Sequence, residues 1–302
     1  MTGWKGLTAL EFATLLVSKT WHMHRSTPWH RFQPSFGLEY SRELQQYLEQ
    51  QLLPTNNYAL TLLDPTPNEP WTSVHRVQLR YLSMLDSSTH PMISVTIDYS
   101  TRQTEPVSPG AQQPDQLSNK RQQAHMVAVA ASPSPTTHHN DTSRNFALVL
   151  YKGPHPLKAP LWQWLQQRFD CRFTPFRLSR ALMNELALWW SEAYLDQLID
   201  QNEYAIDAVL ANPDLKPFEL QYAFPSTVEQ LRQVTIALPL KTVVQLWKKS
   251  RQLHSVSEED RPNILDLIEH HFAQQFRIKT NHLTLHTFGS GTTCVTTDGK
   301  LK

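Results

Sequence analysis

Apolar and polar positions along this chain change period several times, and each change marks an element. Over 39–53, EYSRELQQYLEQQLL, apolar or aromatic side chains fall at Tyr40, Leu44, Tyr47, Leu48 and Leu52. That is the spacing of one helix face, and Pro54 stops the run. Residues 15–26 alternate and carry few helix formers, which predicts a strand. YALTLLD (58–64), VHRVQLRYLSML (74–85) and MISVTIDYS (92–100) have the length and alternation of strands, and their short connections predict an antiparallel meander.

The same change of period continues further on. FALVLYKG (146–153) has strand length. APLWQWLQQRF (159–169) has Leu161, Trp162, Leu165 and Phe169 at helical intervals, and CRFTPFRL (171–178) is strand-like but broken by Pro175. The run 179–212 opens on Ser179 at an N-cap position and predicts one long helix or two. FELQYAFP (218–225) and QVTIALP (233–239) alternate. LKTVVQLWKKS (240–250) and ILDLIEHHFAQQF (264–276) read as helices, and 281–302 gives two β-rich runs around a Gly-Ser-Gly turn, a terminal hairpin. Strands in runs with helices between them predict an α+β fold with mainly antiparallel sheets.

Composition adds one boundary. Residues 100–144 contain no Phe, Trp or Tyr and are dominated by Pro, Ser, Thr and Gln. Such a segment buries too little apolar surface to offset its chain entropy, so it reads as a disordered insertion, although HMVAVAA (125–131) can pair locally. The expected organisation is an N-terminal α+β part (1–99), the insertion (100–144) and a C-terminal α+β part (145–302). Within the insertion, SPSP (132–135) suits a proline-directed kinase.

Charge narrows the function only a little. The 302 residues carry a formal net charge of +1, so no global excess points to nucleic acid or to an acidic partner. Cys171 and Cys294 are too few and too far apart for a disulfide framework or a zinc knuckle. No apolar run reaches membrane-span length, and the N-terminus lacks the features of a signal peptide. The expectation is a soluble cytoplasmic or nuclear protein.

Candidate chemistry begins at TWHMHRSTPWHRF (20–32). His22 and His24 share a strand face and with His30 could chelate a metal; His282 and His286 have the same spacing problem of a set without acidic or thiolate partners. There is no G-x-S-x-G elbow, and GSGTT (289–293) lacks the Lys and the helix that a phosphate loop needs. Basic side chains are better placed. Arg76 and Arg80 fall on one strand face with Gln78 between them, Lys19, Arg25 and Arg31 flank the opening stretch, Arg168, Arg172, Arg177 and Arg180 cluster, and Lys241, Lys248, Lys249 and Arg251 decorate one helix. Such side chains can track a phosphate backbone without reading bases.

Four stretches carry a family resemblance. KTWHMHRSTPWHRF (19–32) resembles the N-terminal signature of the fungal kinetochore subunits homologous to centromere protein L, here with Thr27 between Ser26 and Pro28. PLWQWLQQRFDCRFTPFRLS (160–179) is similar to the family's helix followed by a Phe-Asp-Cys strand. FELQYAFPSTVEQLRQVTIALP (218–239) is similar to its two-strand unit, and TTCVTTDGKLK (292–302) to its terminal strand. The resemblance implies a non-enzymatic subunit of the constitutive inner kinetochore, nuclear and centromeric, without cofactor or metal. It implies pairing with a centromere protein N (CENP-N) homologue by sheet extension of C-terminal β-structure, a groove facing centromeric DNA and its nucleosome, and contacts with other inner-kinetochore subunits. On that footing Lys19, Arg25, Arg76 and Arg80 are the expected DNA contacts. Leu283, Leu285, Thr293 and Val295 are the expected partner interface, because an unpaired edge at 282–298 needs covering. A metal-dependent enzyme built on His22, His24 and His30, or a nucleic-acid binder outside the kinetochore, are the alternatives.

Overall fold

The computed structural model describes residues 20–52, 72–82, 91–101, 120–131, 144–201, 206–212, 215–224, 232–251, 262–277, 280, 283–290 and 293–301. The chain divides into two compact units, Met1–Pro175 and Phe176–Lys302.

In the first unit, β1 (Trp21–Ser26), β2 (Thr72–Leu82), β3 (Met92–Thr101), β4 (Lys120–Val129) and β5 (Leu148–Lys152) form an antiparallel sheet in the order β2-β3-β4-β5-β1, and β6 (Phe173–Pro175) pairs with β1. A 3-10 turn (Pro34–Phe36) leads into α1 (Gly37–Leu52), which packs on β2, and α2 (His155–Phe169) packs on α1. The periodicity explains α1: Tyr40, Leu44 and Leu48 are buried, and the positions between them are more exposed. The meander is β2-β3-β4. The run at 58–64 lies outside the described residues, together with 15–19, 83–85 and 132–135, and one described strand of the meander comes from another stretch. It is β4, inside the stretch read as a disordered insertion. The local pairing foreseen for 125–131 is part of a strand that begins at Lys120, registers with β3 along its length and joins β5 from His125 to Val129.

The core of this unit is aromatic. Trp29 is fully buried and stacks on Phe169 at 5.3 Å, with Phe146 edge-on at 4.9 Å. Phe32 packs on Tyr40, Phe146 and Phe169. α2 ends at Asp170, whose left-handed φ of 45° turns the chain into Cys171. A side chain at Gly153 would stand 2.5 Å from the Tyr151 hydroxyl and 2.7 Å from the Ala124 Cβ, so only glycine lets β5 end there.

The second unit has the sheet order β8-β7-β9-β10-β11, formed by β7 (Phe218–Ala223), β8 (Gln233–Leu238), β9 (Thr284–Ser290), β10 (Thr293–Thr296) and β11 (Lys300–Leu301), all antiparallel. The helical run from 179 splits into α3 (Arg180–Gln201) and α4 (Ile206–Leu210), with the Ser179 Oγ accepting the Leu182 N–H as a cap. α5 (Leu240–Arg251) and α6 (Ile264–Phe276) complete the unit; α3 packs on β9 and α6, and α5 on α6. The terminal hairpin is β9–β10, with Thr293 opposite Ser290. The architecture is α+β with antiparallel strands.

Candidate nucleic-acid and partner interfaces

The opening stretch serves packing before it serves chemistry. β1 presents Trp21 and Met23, both buried, on one face, and its alternation puts His22 and His24 on the other. His22 is exposed, but His24 is buried and meets Trp162 edge-on at 5.3 Å. His24, read in the sequence as a possible metal ligand, is an interior group. Burial first, then the positive fields of Lys158 and His22, lower its pKa to about 4, so the ring is neutral near pH 7. His30 is turned away, its backbone N–H donating to the Phe169 carbonyl at 2.8 Å. Among the described residues no three His, Cys, Asp or Glu side chains gather to hold a metal, and the His22, His24 and His30 set does not converge; His282 lies outside them. The imidazole of His286 meets the Thr297 hydroxyl at 2.6 Å. Cys171 is an interior thiol, pushed up to about 12 by burial, with its Sγ toward the Leu165 carbonyl.

The expected DNA contacts scatter. Arg76, Gln78 and Arg80 do share the face of β2 opposite α1; Arg76 is exposed, and Arg80 donates to the Gln78 Oε1 at 3.2 Å. Arg25 is exposed on β1 and, by the cross-strand register, projects from the same sheet face. Three strands separate it from β2, so the two stand about 19 Å apart at ordinary strand spacing. Ser94, Val127, Leu150 and Met23, which form the row between them, are all buried. Arg25 and Arg80 are therefore opposite margins of a covered strip. Lys19 lies outside the described residues. Two of the other basic positions have structural duties. Arg168 bonds Glu43 at 3.0 Å and lies over the Tyr40 ring, and Arg251 bonds Asp196 at 3.1 Å and lies over Trp247.

Partner residues fare differently. Leu285 and Val295 are each 2% exposed, Leu283 is buried and Thr293 half-buried. β9 has β10 on one side and β7 on the other, so its backbone groups are already paired and the hairpin is not an open edge. β2 ends the first unit's sheet on one side, and β8 ends the second unit's on one side. On β2 the exposed rim is answered by α1. Ser41 Oγ accepts the Leu79 N–H at 2.9 Å, Gln45 Oε1 accepts the Val77 N–H, and Gln45 Nε2 reaches the His75 carbonyl. On β8, among the described residues, no side chain bonds the backbone of Gln233–Leu238 in this way.

The sequence model of the family described as Centromere protein L matches residues 15–302. The chain belongs to the centromere protein L family. It is also 21% identical to human Centromere protein L over 156 residues, an alignment spanning 51% of this chain and 40% of the human protein. Membership carries a subunit role at the kinetochore, a nuclear and centromeric location, and the structural rather than catalytic character of the family.

In this member of the centromere protein L family, two of the four stretches that carried the resemblance prove to be neighbours. Trp29 stacks on Phe169, Thr27 exchanges bonds with Arg172 (its N–H to the Arg172 carbonyl at 3.1 Å, its Oγ1 accepting the Arg172 N–H at 2.9 Å), and Arg25 registers with Thr174. The Trp29 indole N–H is held by the Ser26 Oγ. Sequence reasoning found these motifs but missed the cationic end of β4, where Arg121, Gln123 and His125 share one face. Their alternation with buried Ala124 and Met126 was the available signal.

Proposed function

We propose that this chain pairs with a CENP-N homologue through the sheet of its second unit, and that the pair presents Arg76 and Arg80 to centromeric DNA. The family match over 15–302 carries the reading. The open rim of β8 supports strand addition there, with Leu283, Leu285, Thr293 and Val295 forming the floor behind it rather than the contact itself. Exposed Arg76 on the terminal strand of the first unit supports a phosphate contact, and Arg25 is the separate margin of the same face.

Affinity purification of the chain from cells tests the pairing. Recovery of the CENP-N homologue and other inner-kinetochore subunits is expected, and a clean preparation with no kinetochore subunit overturns it. For DNA, Arg76→Ala with Arg80→Ala in the purified pair should weaken binding to a duplex and lower the slope of log affinity against log salt by about two, one for each phosphate no longer neutralised. An unchanged slope removes both residues from the interface.

A further inference from the structure

We infer that the first unit carries a receptor for a phosphorylated side chain of a partner protein, in a pocket at the end of β4 and β5. The pocket is open, has a volume of about 570 Å³ and is lined by four nitrogen cations or proton acceptors, Arg121, Lys152, His22 and His125. They come from three strands. Lys152 stands directly opposite His125 in the β4–β5 register and Arg121 projects from the same face of β4, while His22 of β1 belongs to the other sheet face and lines the pocket from there. Among the described residues no carboxylate lines the pocket. The nearest candidate by register, Asp98, lies beside it on β3 and accepts from the Gln123 Nε2 at 2.9 Å. Among the described residues neither Arg121 nor Lys152 has an ion-pair partner.

The kind of anion follows from charge and donors. Two fixed positive charges match the roughly −1.5 to −2 carried by a phosphoserine or phosphothreonine better than the single charge of a carboxylate. The guanidinium offers a planar fork and the ammonium a point charge, a combination suited to a group with three acceptor oxygens. Gln122 lines the pocket from the other sheet face, its Oε1 accepting from the Tyr99 hydroxyl at 2.8 Å. Gly153 shapes the rim, since a side chain there would strike Tyr151 and Ala124.

A nucleic-acid backbone fits less well. A duplex lays its phosphates along a surface, whereas Arg121 and Lys152 gather their charge at one place on two neighbouring strands. A path from the pocket to Arg76 also crosses Asp98, which stands directly between Gln123 and Arg76 in the register.

Amide NMR of the isotope-labelled full chain tests this, with a capped pentapeptide carrying one phosphoserine between glycines as the probe. Saturable shifts are expected at Arg121–His125 and Lys152–Gly153, and none with the unphosphorylated twin. Arg121→Gln with Lys152→Gln should raise the dissociation constant by about tenfold or more, since each charge-assisted bond removed is worth that order. If the double variant loses its spectral dispersion, Lys152→Gln alone and displacement of the probe by inorganic phosphate in the unaltered chain replace it, and both must weaken binding. Absence of saturable shifts, or equal binding by the variant that folds, overturns the proposal. So does a short DNA duplex that shifts the same amides at concentrations where the phosphopeptide does not.

Discussion

β2 and β8, each at one end of its own unit's sheet, face the same physical problem and meet it differently. A strand at the end of a sheet exposes a row of unpaired N–H and C=O groups that invite another chain. β2 is closed by its own unit: Ser41 and Gln45, one turn apart on α1, meet the outward groups of His75, Val77 and Leu79. β8 has no such helix side chains on its backbone among the described residues. An edge closed from within cannot take a partner strand, whereas an edge left open can. If the chain takes a partner by sheet extension, as proposed, the contrast favours the rim of β8 over that of β2.

The largest test removes what holds the capping helix. Trp29 is fully buried among Phe32, Phe146 and Phe169, and Phe169 and Phe32 in turn hold Tyr40 of α1. Trp29→Ala should cost the first unit about 3–5 kcal/mol in chemical denaturation. It should also free β2 to associate, seen as concentration-dependent light scattering. Scattering that stays flat in the destabilised protein would break the link between helix and edge. The next test is the cap itself. Ser41→Ala strands the Leu79 N–H, whose distance to Ser41 Oγ is 2.9 Å, at a cost of about 1–3 kcal/mol, with faster hydrogen exchange at the Leu79 amide. Unchanged exchange there would mean that the rim is closed by something other than the hydroxyl.

Much of this contrast could not be read from the sequence, for a definite reason. Periodicity reports which face of an element is apolar, and it located α1, β2, β3 and the helices and strands of the second unit. It does not report which strand ends a sheet, because that depends on pairing between distant segments. The 282–298 region looked like an edge only because it ends the chain; β7 covers its far side. β4 was hidden by its flanks, since the Pro- and Gln-rich stretches around it masked an alternation of Arg121, Gln123 and His125 with Ala124 and Met126. The burial of His24 was illegible for a related reason: Trp162, which meets its ring edge-on, belongs to a helix far along the chain.

Acidification separates the units further. The pKa of His24 is depressed to about 4 in the folded chain from an ordinary 6.5, so the unfolded chain binds more protons in between. Its contribution is complete above pH 6.5 and is lost as pH falls toward 4. A loss of about 1–2 kcal/mol is expected in the first unit, below the full linkage value because exposed His22 beside it marks nearby solvent. Burial shifts Glu192 and Asp266 of the second unit the other way, upward, so their contribution is present at low pH and lost as pH rises through their folded values. His24→Phe should flatten the denaturant midpoint of the first unit between pH 7 and 4.5 and leave the second unit alone. A wild-type slope in that variant would remove His24 as the cause.

The smallest effect on the chain itself carries the sharpest reading of the contrast. Thr235 is exposed on β8, opposite Gln221 of β7, and its side chain supports nothing behind it. Thr235→Lys should therefore change stability by no more than about 0.5 kcal/mol. A lysine on an open rim is, however, one of the ordinary devices by which sheets refuse a further strand. If the second unit takes its partner by strand addition at β8, recovery of the CENP-N homologue should fall sharply while the fold and the DNA response of Arg76 and Arg80 persist. The matching change on the closed rim, Arg76→Lys, should leave partner recovery unaltered, because α1 already occupies that edge. Equal recovery from both variants would show that neither rim is the contact and would move the interface to a face of the second unit.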